Sequence, residues 1–398
     1  MDLSIKGLSI SPSSTLAIDA KAKKMKAEGL DIIGFGAGEP DFDTPEHIKR
    51  AAIAAIESGF TKYTPASGIL ELKQAICNKF KKDNGLDYTP EQIIVSNGAK
   101  HSLVNIFQAL CNPGDEVIIP APYWVSYPEM VKMADATPVI IRTSEHSGFK
   151  FSVQQIKQAL TRKTKAIIIN SPCNPTGMVY SHRELAEIAD LAVEHGIFVV
   201  SDEIYEKLIY DGYEHVSIAS INDKIKEQTI VVNGVSKTYA MTGWRIGYTA
   251  SNSEIAKIMG NMQSHATSNP NSIAQKAAEA AINGEQDIVN DMVSAFITRR
   301  NYMVKRIHSI PGLSCVTPNG AFYVLMNISK FIGAEIDGIE IKGSNDFADA
   351  LLEKAKVALV PGSGFGIDTH VRLSYATSLQ NITEGLNRIE NLLNKVNR

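Results

Sequence analysis

Thr229-Ile230-Val231-Val232-Asn233-Gly234-Val235-Ser236-Lys237 passes from an unbroken apolar run to a lysine set among small residues. The run is β-branched and lacks polar alternation. That texture describes a strand buried on both faces, as in mostly parallel sheets covered by helices. The lysine stands where the strand ends, and in open α/β sheets ligands collect at that edge. Arg245 follows eight residues on, in Ala240-Met241-Thr242-Gly243-Trp244-Arg245-Ile246-Gly247. An amine so placed can form an imine with an aldehyde, and a guanidinium can clamp a phosphate. The plainer alternative is a solvated lysine and a salt-bridged arginine.

Working outward, the same texture recurs in Gln92-Ile93-Ile94-Val95, Glu116-Val117-Ile118-Ile119 and Pro138-Val139-Ile140-Ile141. It returns in Ala166-Ile167-Ile168-Ile169 and Ile197-Phe198-Val199-Val200. Trp244 to Tyr248 reads as an added, antiparallel strand. Ser181-His182-Arg183-Glu184 has capping-box spacing, and Thr44-Pro45-Glu46 reads as a cap followed by a first-turn proline. After about residue 285 a charged helix through Arg299-Arg300 leads to strands and helices outside the main sheet. The fold class implied is α/β: a mostly parallel central sheet with helices on both faces, plus a smaller α+β domain. The division expected is 47–284 for the large cofactor-binding domain. Residues 1–46 and 285–398 make the small domain, with a mobile N-terminal segment.

The chain has 398 residues, enough for two domains, and a net charge of -3, which gives no bulk attraction to nucleic acid or membrane. Cys77, Cys111, Cys173 and Cys315 are scattered, so neither a metal site nor a disulfide framework is expected. Met1 to Lys6 has no signal pattern, and no apolar run approaches membrane length. The compartment expected is the cytoplasm.

Chemistry gathers at four strand ends. Ser96-Asn97-Gly98-Ala99-Lys100 precedes a helix-like run, and amides at such a start bind phosphate. Asn170-Ser171-Pro172-Cys173-Asn174-Pro175-Thr176-Gly177 is a rigid turn presenting Asn174. Ser201-Asp202-Glu203-Ile204-Tyr205 puts a carboxylate at the edge of a buried sheet, which is costly unless paired. A helix cap is the alternative role for Asp202. Lys237 is the fourth. Together they supply the set that pyridoxal phosphate needs.

With these residues in hand, the chain resembles the class I aminotransferases of fold type I along nearly its full length. It is most similar to the bacterial aspartate aminotransferase subgroup that contains thermophile enzymes. Further matching stretches are Gly36-Ala37-Gly38-Glu39-Pro40-Asp41-Phe42, Lys62-Tyr63-Thr64-Pro65, Pro122-Tyr123-Trp124-Val125-Ser126-Tyr127-Pro128 and Arg372-Leu373-Ser374-Tyr375-Ala376. The resemblance implies that pyridoxal 5'-phosphate is held on Lys237, which also shuttles the substrate proton. Asp202 would pair with the pyridinium nitrogen, and Asn174 and Tyr205 with the phenolic oxygen. Trp124 would stack on the ring. Gly98, Ala99, Lys100 and Arg245 would surround the phosphate, joined by Tyr63 from the neighbouring subunit of a homodimer with shared sites. Arg372 would take the substrate α-carboxylate and Lys100 the distal carboxylate. Trp124, Asn174 and Gly38 would also meet the substrate.

Two departures stand out. Some relatives carry a phosphate-binding serine where this chain has Gly234. Animal-type aspartate enzymes use an arginine from the other subunit, and the comparable stretch here, Gln263 to Pro270, has none. The reaction implied moves the amino group of L-aspartate to 2-oxoglutarate in a ping-pong cycle. Prephenate or aromatic transamination and a C–S β-lyase are the alternatives on this fold. A nicotinamide site at Gly34-Phe35-Gly36-Ala37-Gly38 fails because Glu39 occupies the third glycine's position.

Overall fold

The structure is a computed structural model, and it describes residues 2–396. Two helices, Ile5–Ser9 and Ser14–Ala27, precede a short strand, β1 (Ile33–Gly34). The apolar runs then form β2 (Ile93–Ser96), β3 (Glu116–Ala121), β4 (Thr137–Arg142) and β5 (Thr164–Asn170). After them come β6 (Phe198–Asp202), β7 (Thr229–Gly234) and β8 (Gly247–Ala250). β2 to β8 make one seven-stranded sheet in the order β2-β8-β7-β6-β5-β3-β4. β8 is antiparallel to β2 and β7, and all other neighbours are parallel. The added strand thus exists but starts later than expected. Thr242–Trp244 is a 3-10 turn, and Arg245 turns the chain at φ 58 before β8 begins.

The lack of polar alternation has a direct cause. Successive strand residues point to opposite faces, and both faces are covered. Ile230 and Val232 pack with Leu103, Ile106 and Phe107 of the helix Ala99–Leu110. Val231 points the other way, into a cluster with Ile76 and Phe80 of the helix Leu70–Asn84. Ile167 and Val199 meet Leu185 and Ile188 of the helix His182–His195. That helix opens with the expected reciprocal box: Ser181 Oγ accepts from the Glu184 amide, and the Glu184 carboxylate accepts from the Ser181 amide.

Thr44 does not cap the helix Glu46–Glu57; Pro45 holds the N-cap position. The Thr44 hydroxyl instead donates to the Ala240 carbonyl and accepts from Trp244 Nε1. A residue expected to serve its own helix therefore steadies the loop after Lys237.

The helix Asp287–Ser309 leads to β9 (Ser314–Cys315), β10 (Tyr323–Asn327), β11 (Glu335–Ile336) and β12 (Ile339–Glu340). β13 (Val357–Ala358), β14 (Val360–Pro361) and β15 (His370–Ser374) follow. An antiparallel sheet has the order β14-β15-β10-β9, and β1 pairs parallel with β13. The N-terminal segment is thereby joined to the C-terminal part of the chain.

A buried charge network braces the segment after β6. Lys79 pairs with Glu206, and their side chains are 8% and 4% exposed. Asn84 Nδ2 donates to the same carboxylate. Among the described residues, Glu203, Glu206 and His215 form the one group with metal-ligand composition. Its oxygens are already engaged by Lys79, Ser201, Ser217 and His215. Burial acts to raise the Glu206 carboxyl, but Lys79, His215 and Lys207 outweigh it and bring it from 4.5 down to about 2. Such a depressed carboxyl stabilises the fold above its unfolded pKa and loses that contribution as pH falls through the folded one. The contribution is complete above pH 4.5 and lost towards about 2. Lys79→Met, which strands the Glu206 charge, is expected to cost about 3–5 kcal/mol in urea unfolding at neutral pH. The gap to the unaltered protein narrows as acid neutralises Glu206 in the variant. A loss below about 1 kcal/mol would mark the pair as no better than a solvated one.

Candidate active site

β5, β6 and β7 are neighbours, so their carboxyl ends bring Asn170, Asp202 and the Gly234–Lys237 segment side by side. They open on a cavity of about 390 Å³. Gly38, Ala99, Lys100, Trp124, Asn174, Asp202, Tyr205, Lys237, Arg245 and Arg372 line it, from positions scattered across the sequence. Gly98 lies behind Arg245 rather than in the wall. Tyr63 is not part of this wall and is 91% exposed.

Lys237 is half-buried, and its Nζ donates to the Gly38 carbonyl at 2.5 Å. Burial brings its ammonium from 10.5 down to about 8. Arg245 and Arg372 push the same way, while Glu39 and Asp202 oppose them. A lysine so shifted has the free amine that imine chemistry needs.

Asp202 is 4% exposed. Its Oδ2 accepts from Tyr127 Oη at 2.7 Å and its Oδ1 from the Ile204 amide at 3.3 Å. The latter is an Asx turn; no helix follows, so the helix-cap role falls away. Burial raises this carboxyl to about 6, against both hydrogen bonds. Asp202 makes no ion pair among the described residues, and a buried carboxylate of this kind favours a cationic partner.

Arg372 is 2% exposed in β15. Nη1 donates to Asn174 Oδ1 at 2.9 Å and Nη2 to the Gly36 carbonyl at 2.9 Å, while Nε has no partner. The Tyr323 and Phe365 rings lie 4.3 and 5.1 Å from the guanidinium. Burial lowers its pKa below the ordinary arginine value. No carboxylate pairs with Arg372 among the described residues, so this is a buried cation suited to an incoming anion.

The cup expected to take the phosphate is built by close approach. Gly98 is the N-cap of the helix Ala99–Leu110, at φ 85 and with no side-chain cap. A Cβ on Gly98 would overlap the Arg245 guanidinium. The Gly98 carbonyl takes the His101 and Ser102 amides, which leaves the Ala99 and Lys100 amides at the open helix start. Arg245 Nη1 donates to the Thr242 carbonyl at 2.9 Å. Lys100 Nζ lies 4.9 Å from the Trp124 ring centroid, and burial, then Arg245, lowers its pKa.

The donors fit pyridoxal phosphate: an amine brought down by burial, a buried carboxylate without a cation, and a glycine cradle with a guanidinium beside it. Gly234, the departure from some relatives, has its own cause. A Cβ there would lie 3.0 Å from the Gly247 Cα and the Ile246 carbonyl, where β7 and β8 pair with Gly234 opposite Gly247. Ser236 instead lines the cavity.

Two site residues escaped the sequence reading. Tyr127 was visible within Pro122 to Pro128, but its contact with Asp202 spans 75 residues. Tyr323, whose Oη lies 2.8 Å from Tyr205 Oη, comes from the second sheet. No local pattern marks either pairing.

Residues 30–389 match the family described as aminotransferase class I and II. The aspartate aminotransferase of Bacillus sp. (strain YM-2) is 54% identical over 96% of this chain and 96% of its own. A solved aspartate aminotransferase from Rhizobium meliloti superposes with a TM-score of 0.96 at 43% identity, covering 100% of both chains. The Thermus thermophilus enzyme, solved with maleate, gives 0.93 at 44% identity over 98% of this chain and 100% of that one.

In protein stripped of cofactor, Lys237 is expected to lose its proton near pH 8, not 10.5. Trace acetylation read by peptide mass spectrometry across pH would follow that titration. Asp202→Asn removes a negative neighbour and moves the midpoint lower. A midpoint at the ordinary lysine value would contradict the role given to burial.

Proposed function

The chain belongs to the aminotransferase class I and II family, and we propose that it moves the amino group of L-aspartate to 2-oxoglutarate. The observation that carries this reading is Arg372: a buried guanidinium with an unpartnered Nε, facing the same cavity as Lys237. Lys100 adds a second cation to that cavity. Two cations suit a substrate with two carboxylates, and the maleate held by the Thermus enzyme is a dicarboxylate.

Pyridoxal 5'-phosphate, when bound, supplies an aldehyde that takes the amino group and a protonated ring that draws electrons from the α-carbon. Asp202, held by Tyr127, keeps the proton on the ring nitrogen. The Lys237 amine carries the proton to and from the substrate α-carbon. Tyr205 and Asn174 would serve the phenolic oxygen, and Trp124 would back the ring. The Ala99 and Lys100 amides and the Arg245 guanidinium would hold the phosphate, in the cradle that Gly98 opens. Arg372 orients the α-carboxylate as a bidentate clamp, with Asn174 beside it. Gly38 covers the substrate, and Lys100 meets its distal carboxylate.

The same reading divides the chain into 47–284 and 1–46 with 285–398. It makes the working unit a homodimer in the cytoplasm. No helix among the described residues is long and apolar enough to cross a membrane. Tyr63 is 91% exposed, and Ile53, Ile56 and Leu70 nearby in sequence are 51%, 54% and 64% exposed. A second copy would cover these apolar side chains and receive Tyr63 at its phosphate cup.

The substrate assignment is tested by kcat/KM for aspartate, glutamate, alanine and phenylalanine. Arg372→Ala is expected to weaken all four donors. Lys100→Ala is expected to cost roughly 1.5–3 kcal/mol with the two dicarboxylic donors and to spare the others. Equal losses for all donors would remove Lys100 from substrate selection.

Shared sites are tested by mixing Tyr63→Phe and Lys237→Ala chains. Hybrid dimers hold one site with both defects and one with neither, so activity is expected to exceed the sum of the parents. No recovery, with subunit exchange confirmed, would mean that each site is built from one chain.

A further inference from the structure

We infer that Gln263 is a positioning residue that ties the phosphate cup of its own site to the loop offering Tyr63 to the partner's site. This rests on the shared-site reading above and assigns it an internal connection.

Gln263 is 0% exposed, although Asn261, Ser264 and His265 around it on the helix Ser253–Ala266 face solvent. It belongs to the stretch that lacks the animal-type arginine. Its side-chain amide uses its full capacity of two acceptor and two donor positions. Oε1 accepts from Ser96 Oγ at 2.7 Å and Asn105 Nδ2 at 2.9 Å. Nε2 donates to the Ala66 carbonyl at 2.6 Å and the Val95 carbonyl at 2.7 Å.

These partners fall into two groups. Val95 and Ser96 end β2, with Asn97 between them and Gly98, and Asn105 lies in the helix that begins at Ala99. They frame the cup. Ala66 lies on the other side, in the irregular segment 61–69 that carries Tyr63. Further contacts hold that segment against β2. The Val95 amide donates to the Ser67 carbonyl, and a Cβ on Gly68, at φ 106, would meet Val95 Cγ2 at 2.6 Å. Gln275, also 0% exposed, accepts from the Ile69 amide and donates to Thr64 Oγ1.

The consequence crosses the dimer. The loop that serves one site cannot shift without pulling on the strand that forms the other site's cup. Losing Gln263 strands buried donors and acceptors on both sides. Cofactor affinity should then fall in the site of the same chain and in the site of its partner.

Heterodimers with one working lysine separate the two effects. In the first, Gln263→Leu and Lys237→Ala sit on one chain and the partner is unaltered, so the working site feels only the loop. In the second, Gln263→Leu sits opposite a Lys237→Ala chain, so the working site feels only the cup. Pyridoxal phosphate is titrated and its attachment to Lys237 read by absorbance. Roughly tenfold weaker half-saturation is expected in both, relative to a heterodimer altered only at Lys237. An unaffected site in either heterodimer overturns the inference. A merely local role could not weaken the working site of the unaltered partner.

Replacing Gln263→Leu by Tyr63→Phe in the first heterodimer tests the shared-site reading itself. If Tyr63→Phe weakens the partner's site and Gln263→Leu does not, only the present inference fails. If Tyr63→Phe has no effect, the shared-site reading fails and the inference with it. Should Gln263→Leu not fold, Gln263→Glu keeps the size and the acceptor contacts but loses at least one donated bond. Hydrogen exchange in that chain is expected to quicken in both 64–69 and 95–99. Unchanged protection in either segment overturns the inference.

Discussion

Three charged groups share one partly closed site, and none of them forms an ion pair among the described residues. Asp202 is held by a phenol and an amide, Arg372 by a side-chain amide and a carbonyl, Lys237 by a carbonyl. Neutral partners meet hydrogen-bonding needs but return little of the desolvation cost of a buried charge. The fold is therefore committed to a site whose ionic demand is met from outside the chain. The shifts of Asp202 and Lys237 towards neutrality, to about 6 and about 8, express the same imbalance. Much of the rest of the molecule serves to keep these groups together: the sheet order, the second sheet that brings Arg372, and the N-terminal segment between them.

Glycine supplies the closeness. β8 runs between β2 and β7, and its entry crosses the start of the helix Ala99–Leu110. A Cβ on Gly247 would collide with the Ala99 amide, one on Gly98 with Arg245, and one on Gly234 with the Gly247 backbone. At Gly247 and Gly234 backbone meets backbone, and at Gly98 backbone meets the Arg245 guanidinium. Gly234 is thus accounted for by strand packing, and a serine there would need β8 to give by a few tenths of an ångström. The positive φ of Arg245 is part of the same turn and directs its guanidinium back over the cup.

What the sequence made legible follows from the range of the interactions involved. Strand texture is local, so all six apolar runs named beforehand became strands of the central sheet. The Ser181 box is local and is present, and Lys237 and Asp202 stand at strand ends, as their flanking apolar runs imply. The Thr44 cap was misread because a threonine before Pro-Glu has the right chemistry, but its hydroxyl is spent on Ala240 and Trp244, far along the chain. β1 with β13, Tyr127 with Asp202 and Gln263 with Ala66 are long-range pairings with no periodicity to announce them. The very short strands of the second region carry too few residues for alternation to show.

The N-terminal segment shows how these parts act together. Gly36 offers its carbonyl to Arg372 and Gly38 offers its carbonyl to Lys237, so two nearby residues of one strap touch two cations of the site. The strap is fastened beyond the site by Glu39 to Thr242, Asp41 to Arg299, and Phe42 edge-on to Phe296. A carboxylate competes for a guanidinium better than a carbonyl does, because charge-assisted hydrogen bonds are roughly twice as strong as neutral ones. An anion reaching Arg372 therefore displaces or shares the Gly36 contact and changes the hold on the strap at that point. The anchors at Thr242 and Arg299 do not depend on Arg372, so the strap can give at Gly36 while staying seated over the cavity.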